Sequence, residues 1–411
     1  MHILNKNMAN YNWQHFIIVL LSILLSKSLY YESFGTNILL IPFLIFLLIV
    51  NYKKRVFLKP ILVLYISFFI LIIFINQESN IRSILVLGLL FTISLYIINL
   101  INFREFTAYF SDIILILAII SWITFPVIYF DIPTLFFDFI AINMHHFRNF
   151  IFFGVSDGLI SYSSFRNAGL WWEPGAFQVF INLSFIFNLI FNRMNNKKYF
   201  ILLISIFLIQ STTGVIVFLL LSLLYFKDKL FASKYKSLLL LILFLFSLGA
   251  IFLLIPIITN KFDSEGNSFY SFLSRYYDVQ ISFNLFIDNF VLGYGYGSQI
   301  KNAVPYGADL IGYDVYYSLA QPTGSDGVSM LISQVGISGF LLIIPLLFPR
   351  YLAQKKLLEK IIISVSIFIL LNTENFMFLL LFALLIFYGI DGNRKISLKE
   401  KRKKVAIRKI N

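Results

Sequence analysis

The chain has 411 residues, of which 59% are hydrophobic and 13% charged, with a net charge of +13. A soluble domain carries about a quarter charged residues, so this composition excludes an ordinary soluble fold and points to an integral membrane protein. Cysteine is absent, which excludes disulfides and thiolate metal sites, and the four His, at positions 2, 15, 145 and 146, are too few and too poorly spaced for a metal centre.

A helical crossing needs about 20 mostly apolar residues. In chain order, apolar segments fall at 13–31, 35–52, 56–75, 81–101, 113–130, 175–191, 199–211, 213–226, 237–258, 327–348, 361–372 and 375–390. This predicts an all-α polytopic membrane protein with about twelve transmembrane helices. No small-residue cleavage site follows the first segment, so it reads as a retained helix. Lys53-Lys54-Arg55, then Arg193 with Lys197 and Lys198, then Lys227 to Lys236, then Arg350 to Lys360 fall in alternate loops. Most of the 33 basic residues thus gather on one side, and the acidic residues favour the other. The positive-inside rule then predicts cytoplasmic termini. Residues 1–390 read as one integral membrane domain, and 391–411 as a basic cytoplasmic tail. That tail is better explained by anionic lipid at the membrane surface than by nucleic acid.

Two long hydrophilic loops, about 131–174 and 259–326, are therefore expected outside the cytoplasm, carrying interfacial helices. In the first, Phe136-Phe137-Asp138-Phe139-Ile140 and Phe150-Ile151-Phe152-Phe153-Gly154 are too apolar for a solvated linker and too short to span. His145-His146 lies between them; neighbouring residues on a helix diverge in direction, so the pair is a poor bidentate ligand. The loop closes on Phe165-Arg166-Asn167-Ala168-Gly169-Leu170-Trp171-Trp172-Glu173-Pro174. Here a cation and a carboxylate sit beside aromatic anchors just ahead of an apolar run, as a site for a charged lipid-linked group requires. Pro174 suits the first turn of the following helix, and Glu173 either favours that helix dipole or serves chemistry. Ser211-Thr212-Thr213-Gly214 interrupts two short apolar segments. Its hydroxyls are read as satisfying broken helix backbone in preference to binding phosphate.

In the second loop, Ser274-Arg275-Tyr276-Tyr277-Asp278 opens an amphipathic helix running to about Asp288. Phe272, Tyr276, Val279, Phe283 and Phe286 mark its apolar face. Leu292-Gly293-Tyr294-Gly295-Tyr296-Gly297 follows. It either displays rings suited to sugars or forms a plain helix-ending turn. Lys27 and Glu374 are charges within or beside apolar segments, and neither has an evident partner in the sequence.

These features, in this order and on this side, resemble the O-antigen polymerase and ligase superfamily of bacterial polysaccharide assembly. The matching residues are Arg166, Gly169 and Glu173-Pro174; Ser211-Thr212-Thr213-Gly214; Ser274-Arg275; Asp288-Asn289 with Leu292 to Gly297; and Ser333-Gln334-Val335-Gly336-Ile337-Ser338-Gly339. The resemblance covers about 166–345, and the first five helices match only in hydropathy. The ligase branch carries a His near the end of the second loop. Here that region reads Thr323-Gly324-Ser325-Asp326-Gly327, so the polymerase branch is favoured.

The resemblance implies a glycosyltransferase in the bacterial cytoplasmic membrane. It would act on undecaprenyl-diphosphate-linked oligosaccharide in the bilayer, with a chain-length regulator protein as a further candidate partner. Guanidiniums suit the departing diphosphate, a role that falls to Arg166 and Arg275 unless they merely anchor to headgroups. A carboxylate is needed to orient or deprotonate the acceptor hydroxyl, for which Glu173 and Asp326 are the candidates and Asp278 a weaker one. Trp172, Tyr276, Tyr294 and Tyr296 are further candidate substrate-binding residues. The diphosphate is already an activated leaving group, so no metal and no cofactor are expected. A ligase-type transfer to a lipid or protein acceptor is the first alternative. A flippase or transporter is the second, disfavoured because no internal repeat is evident.

Overall fold

The computed structural model describes residues 12–26, 28, 36–50, 60–76, 79–129, 137–140, 146–150, 153–156, 167–171, 174–232, 267–296, 327–373 and 379–391. These are mostly helical. In order the helices are α1 (Trp13–Leu24), α2 (Thr36–Val50), α3 (Pro60–Ile75), α4 (Ile81–Leu100), α5 (Phe103–Tyr129), α6 (Pro174–Ile190), α7 (Asn196–Ile209) and α8 (Thr212–Ala232). Then come α9 (Asn267–Asp288), α10 (Gly327–Val335), α11 (Gly339–Leu347), α12 (Leu357–Thr373) and α13 (Leu380–Asp391). Three stretches, Ile81–Leu100, Phe103–Ile123 and Gly327–Leu352, are long and apolar enough to cross a membrane; several shorter apolar helices accompany them. The expected segment 237–258 and the tail after 391 lie outside the described residues.

The first long loop differs from expectation. In place of interfacial helices or re-entrant segments, Phe137–Ile140 (β1), His146–Phe150 (β2) and Phe153–Ser156 (β3) form an antiparallel sheet in the order β1-β2-β3. Asp138 stands opposite Arg148 in its register. Short runs rich in Phe and Ile fit strands as well as they fit a buried helix turn, and length decides in favour of strands.

α6 is the central helix, with nearly every residue buried from Pro174 to Ile190. It packs against α5, α7, α8 and α12. Its Phe187 meets the Phe103 and Phe110 rings of α5 edge to face, with centroids 5.8 and 5.1 Å apart. The rim is different: Ile41, Ile45 and Ile49 on α2, and Leu64, Phe68 and Leu71 on α3, are exposed. Helices that are apolar on both the packed and the outward face suit hydrocarbon surroundings and would aggregate in water.

α5 begins ten residues before the apolar segment that announced it. Asn102 Oδ1 accepts from the Glu105 N–H at 3.0 Å, and Asn102 Nδ2 donates back to Glu105 Oε2 at 3.2 Å. This reciprocal cap carries the helix through its charged first turn. In α11, Pro345 removes the donor that would have paired with Leu341 O. The Tyr65 hydroxyl, from α3, donates to that carbonyl instead. An orphaned carbonyl among apolar helices needs such a substitute.

Helix ends sort into two groups. At one, Tyr388 OH donates to Ile101 O at 2.9 Å, and Arg193 Nη2 to Thr107 Oγ1 at 2.7 Å. Lys355 Nζ donates to Leu189 O at 3.0 Å, and Lys198 Nζ lies 3.5 Å from Asp112. This is the basic end. Burial lowers Arg193 to about 10, so it remains a cation at neutral pH. α4, about 30 Å long at 1.5 Å per residue, brings the chain to this end from the opposite one.

Candidate functional site

The opposite end holds the described parts of both motif groups. Asn167 is fully buried. Its Nδ2 donates to Ser121 Oγ of α5 at 2.9 Å, its Oδ1 accepts from the Gly169 N–H at 3.0 Å, and its own N–H reaches Leu208 O of α7 at 3.0 Å. Gly169 adopts φ +59°, and a Cβ there would lie 2.8 Å from the Phe177 ring. Only glycine satisfies both conditions. Trp171 is fully buried; it stacks on Phe177 with centroids 5.0 Å apart and donates from Nε1 to Ser26 O at 3.3 Å. Ser26 Oγ also accepts from the Leu381 N–H at 3.0 Å. Residues 167–171 are thus a turn bolted to α5, α6, α7 and the segment just after α1, which Ser26 ties in turn to α13. Arg166 precedes it directly in sequence and Trp172-Glu173 follow, but these three lie outside the described residues.

One helical turn inward is a polar knot among apolar helices. Gln178 Nε2 donates to Thr373 Oγ1 at 3.2 Å, and Asn182 Nδ2 donates to Gln178 Oε1 and to Gly214 O, both at 3.2 Å. Gly214 fits because a Cβ would lie 2.9 Å from that of Gln178. Ser211 Oγ accepts from the Gly214 N–H at 3.2 Å, so it caps α8 in the backbone role expected of this segment. Sequence reasoning passed over Gln178 and Asn182. Two amides four residues apart in an otherwise apolar helix were the signal. Glu374, next after Thr373, lies outside the described residues, as does Lys27.

The second motif group forms a clasp. Gly293 (φ +68°) and Gly336 (φ +61°) bring two backbones into contact: a Cβ on Gly293 would lie 2.4 Å from the Gln334 carbonyl carbon, and one on Gly336 2.5 Å from Val291 O. The Tyr294 N–H donates to Ser333 O and the Gly295 N–H to Gln334 O, each at 2.9 Å; the Ile337 N–H returns to Phe290 O at 2.8 Å. The connection between α3 and α4 joins in, with Asn76 Nδ2 on Gly293 O at 2.9 Å and the Asn80 N–H on Tyr296 O at 2.8 Å. The Gly-Tyr run is therefore a backbone clasp before anything else. Its expected open display of rings does not extend to Tyr296, which is buried; Tyr294 is half-buried.

α9 packs on α10. Asp278 is only 4% exposed, next to buried Ile281 and Leu285, whereas Tyr276, Val279 and Phe283 face outward and are about half exposed. Tyr276 OH accepts from Gln280 Nε2 at 2.7 Å. Apolar residues outward and a carboxylate inward is the reverse of a water-facing helix. Arg275 lies on α9 one turn before Asp278, and its side chain is not described; Asp326 lies outside the described residues just ahead of α10. The structure thus gathers the turn, the polar knot, the clasp and Asp278 at one end of the bundle. Among the described residues no cluster of His, Asp and Glu suited to a metal ion occurs.

No protein-family model matches the chain, and neither does any curated protein or solved structure.

Proposed function

We propose that the chain is a polysaccharide polymerase, a multi-pass protein of the bacterial cytoplasmic membrane whose turn-and-clasp end faces outward. It transfers a growing glycan from undecaprenyl diphosphate to an incoming lipid-linked repeat unit. One observation carries this reading. The Asn167–Trp171 turn and the Gly293–Gly336 clasp, which belong to the two motif groups resembling the polymerase superfamily, sit at the same end of the bundle and away from the basic end. The buried carboxylate of Asp278 and the outward apolar face of α9 add to it, because a lipid-linked substrate needs polar chemistry beside a hydrocarbon-facing wall.

In this proposal Arg166 and Arg275 hold the donor diphosphate and stabilise its growing negative charge. The acceptor hydroxyl oxygen attacks the donor's anomeric carbon. The carbon–oxygen bond to the diphosphate breaks with its electron pair leaving on the diphosphate, and the hydroxyl proton passes to a carboxylate, Glu173 or Asp326, with Asp278 the buried third choice. Trp172, Tyr276 and Tyr294 border the sugars, while the buried ring of Tyr296 stays in the clasp. The transfer is metal-independent.

The test is a deletion strain complemented with variants that are confirmed to insert. Arg166→Ala and Arg275→Ala should each leave single-repeat surface glycan and abolish long chains on a gel ladder. Undiminished chain length in both sinks the assignment. Polymer accumulating on the carrier lipid after deletion indicates a ligase instead. Loss of transfer by purified protein on adding chelator contradicts the metal-independent step.

A further inference from the structure

We infer that the cavity between α6, α8 and α12 at the basic end binds a phosphate-bearing group, a site that does not depend on the polymerase reading. The cavity measures about 200 Å³, far above the roughly 10–15 Å³ that one water occupies on this measure. Its polar wall comprises Asn188, Asn192, Tyr225, Lys227, Lys355 and Glu359.

The charge balance of that wall carries the argument. Two ammoniums share one carboxylate: Lys227 Nζ donates to Glu359 Oε1, and Lys355 Nζ stands 3.9 Å from Oε2. Lys355 is otherwise satisfied, giving hydrogen bonds to Leu189 O at 3.0 Å and Asn192 Oδ1 at 3.1 Å across the end of α6. Lys227 is not. An ammonium has three donors, and among the described residues Lys227 uses only the one on Glu359. Its side chain is 19% exposed and lines the cavity. Two partly buried cations that share one counter-ion beside a cavity are a seat for an anion. Phosphate oxygens suit it because lysine holds phosphate as a point charge.

The surroundings bear on the source. Leu189, Met194, Leu224 and Ile363 line the rest of the cavity, and Leu223, Leu358 and Ile361 are exposed on α8 and α12. A headgroup phosphate with acyl chains along that surface fits; so does a soluble phosphate, which the experiment separates.

The whole protein is purified in detergent and its unfolding temperature is measured with phosphatidylglycerol, phosphatidylcholine or inorganic phosphate, with bound lipid counted by native mass spectrometry. Retention and stabilisation by phosphatidylglycerol alone identify a lipid headgroup; equal stabilisation by inorganic phosphate without lipid identifies a soluble ligand. Lys227→Gln should weaken either about tenfold, the worth of one charge-assisted hydrogen bond. Glu359→Gln removes the competing carboxylate and should strengthen binding several-fold. No anion dependence in the wild type overturns the site. So does a Glu359→Gln protein that is less stable yet binds no more anion, because the three charges are then only a tie between helices. That arm decides the matter even if Lys227→Gln does not fold.

Discussion

At the basic end charged side chains take part in the ties between helices: the Glu105 carboxylate meets His15 Nδ1 at 2.7 Å, Lys198 pairs with Asp112, and Lys227 with Lys355 shares Glu359. At the opposite end the ties run through backbone and neutral groups: Gly169, Gly293, Gly295 and Gly336 at positive φ, carbonyls receiving amide N–H groups, and the side chains of Asn76, Asn167 and Ser79. The contrast has a physical use. Backbone contacts tolerate no displacement, so they hold loop ends in place without spending charged side chains on scaffolding. Ion pairs at partly exposed positions are individually weak and adjust. An end that must hold a geometry is expected to be built the first way, and an end that must be oriented by charge the second.

Substitutions probe this contrast from strong to weak. Gly336→Ala drives a Cβ into Val291 O and strains the left-handed backbone, for a loss on the order of 5 kcal/mol. Thermal unfolding in detergent should show little folded protein. Gly88→Ala, in open space on α4, is its control and should be neutral or stabilise by up to about 1 kcal/mol. If the two behave alike, the clasp does not hold that end. Trp171→Ala empties a fully buried site and should cost about 3–5 kcal/mol. Asn167→Ala leaves the Gly169 amide without its acceptor, for about 1–3 kcal/mol.

The basic end should respond less. Lys198→Met breaks a pair whose side chains are 22% and 41% exposed, and should change stability by less than about 1 kcal/mol. Raising salt to about 1 M should erase even that difference while leaving the Gly336→Ala deficit intact. Arg193 gives a signed pH test. Burial holds its guanidinium near 10 against an ordinary 12.5, so between those values the unfolded state keeps the proton longer. Stability contributed by this residue therefore rises with pH across that window, and Arg193→Met should flatten the rise.

Much of this was legible in the residues. Hydropathy located α4 and α6 to within a residue, since 81–101 and 175–191 became Ile81–Leu100 and Pro174–Ile190. It missed the start of α5, because a capped, charged first turn carries no apolar signal. The Ser211 break was read in its backbone role. The sugar-facing or turn alternatives at Gly293 were not separable, because their difference lies in what meets the glycine, and that partner is 43 residues further on at Gly336.

What the sequence determined alone is what depends on local composition: apolar helices, alternate basic loops, and breaks at Ser211 and Gly293. Tertiary structure alone decided the rest. It chose strands for 137–140, 146–150 and 153–156, turned Asp278 inward and Phe283 outward, lent the Tyr65 hydroxyl to Leu341, and brought Lys227 and Lys355 onto one carboxylate. Hydropathy is a sum over neighbours along the chain, whereas each of these outcomes depends on a partner far away along it, which only packing supplies.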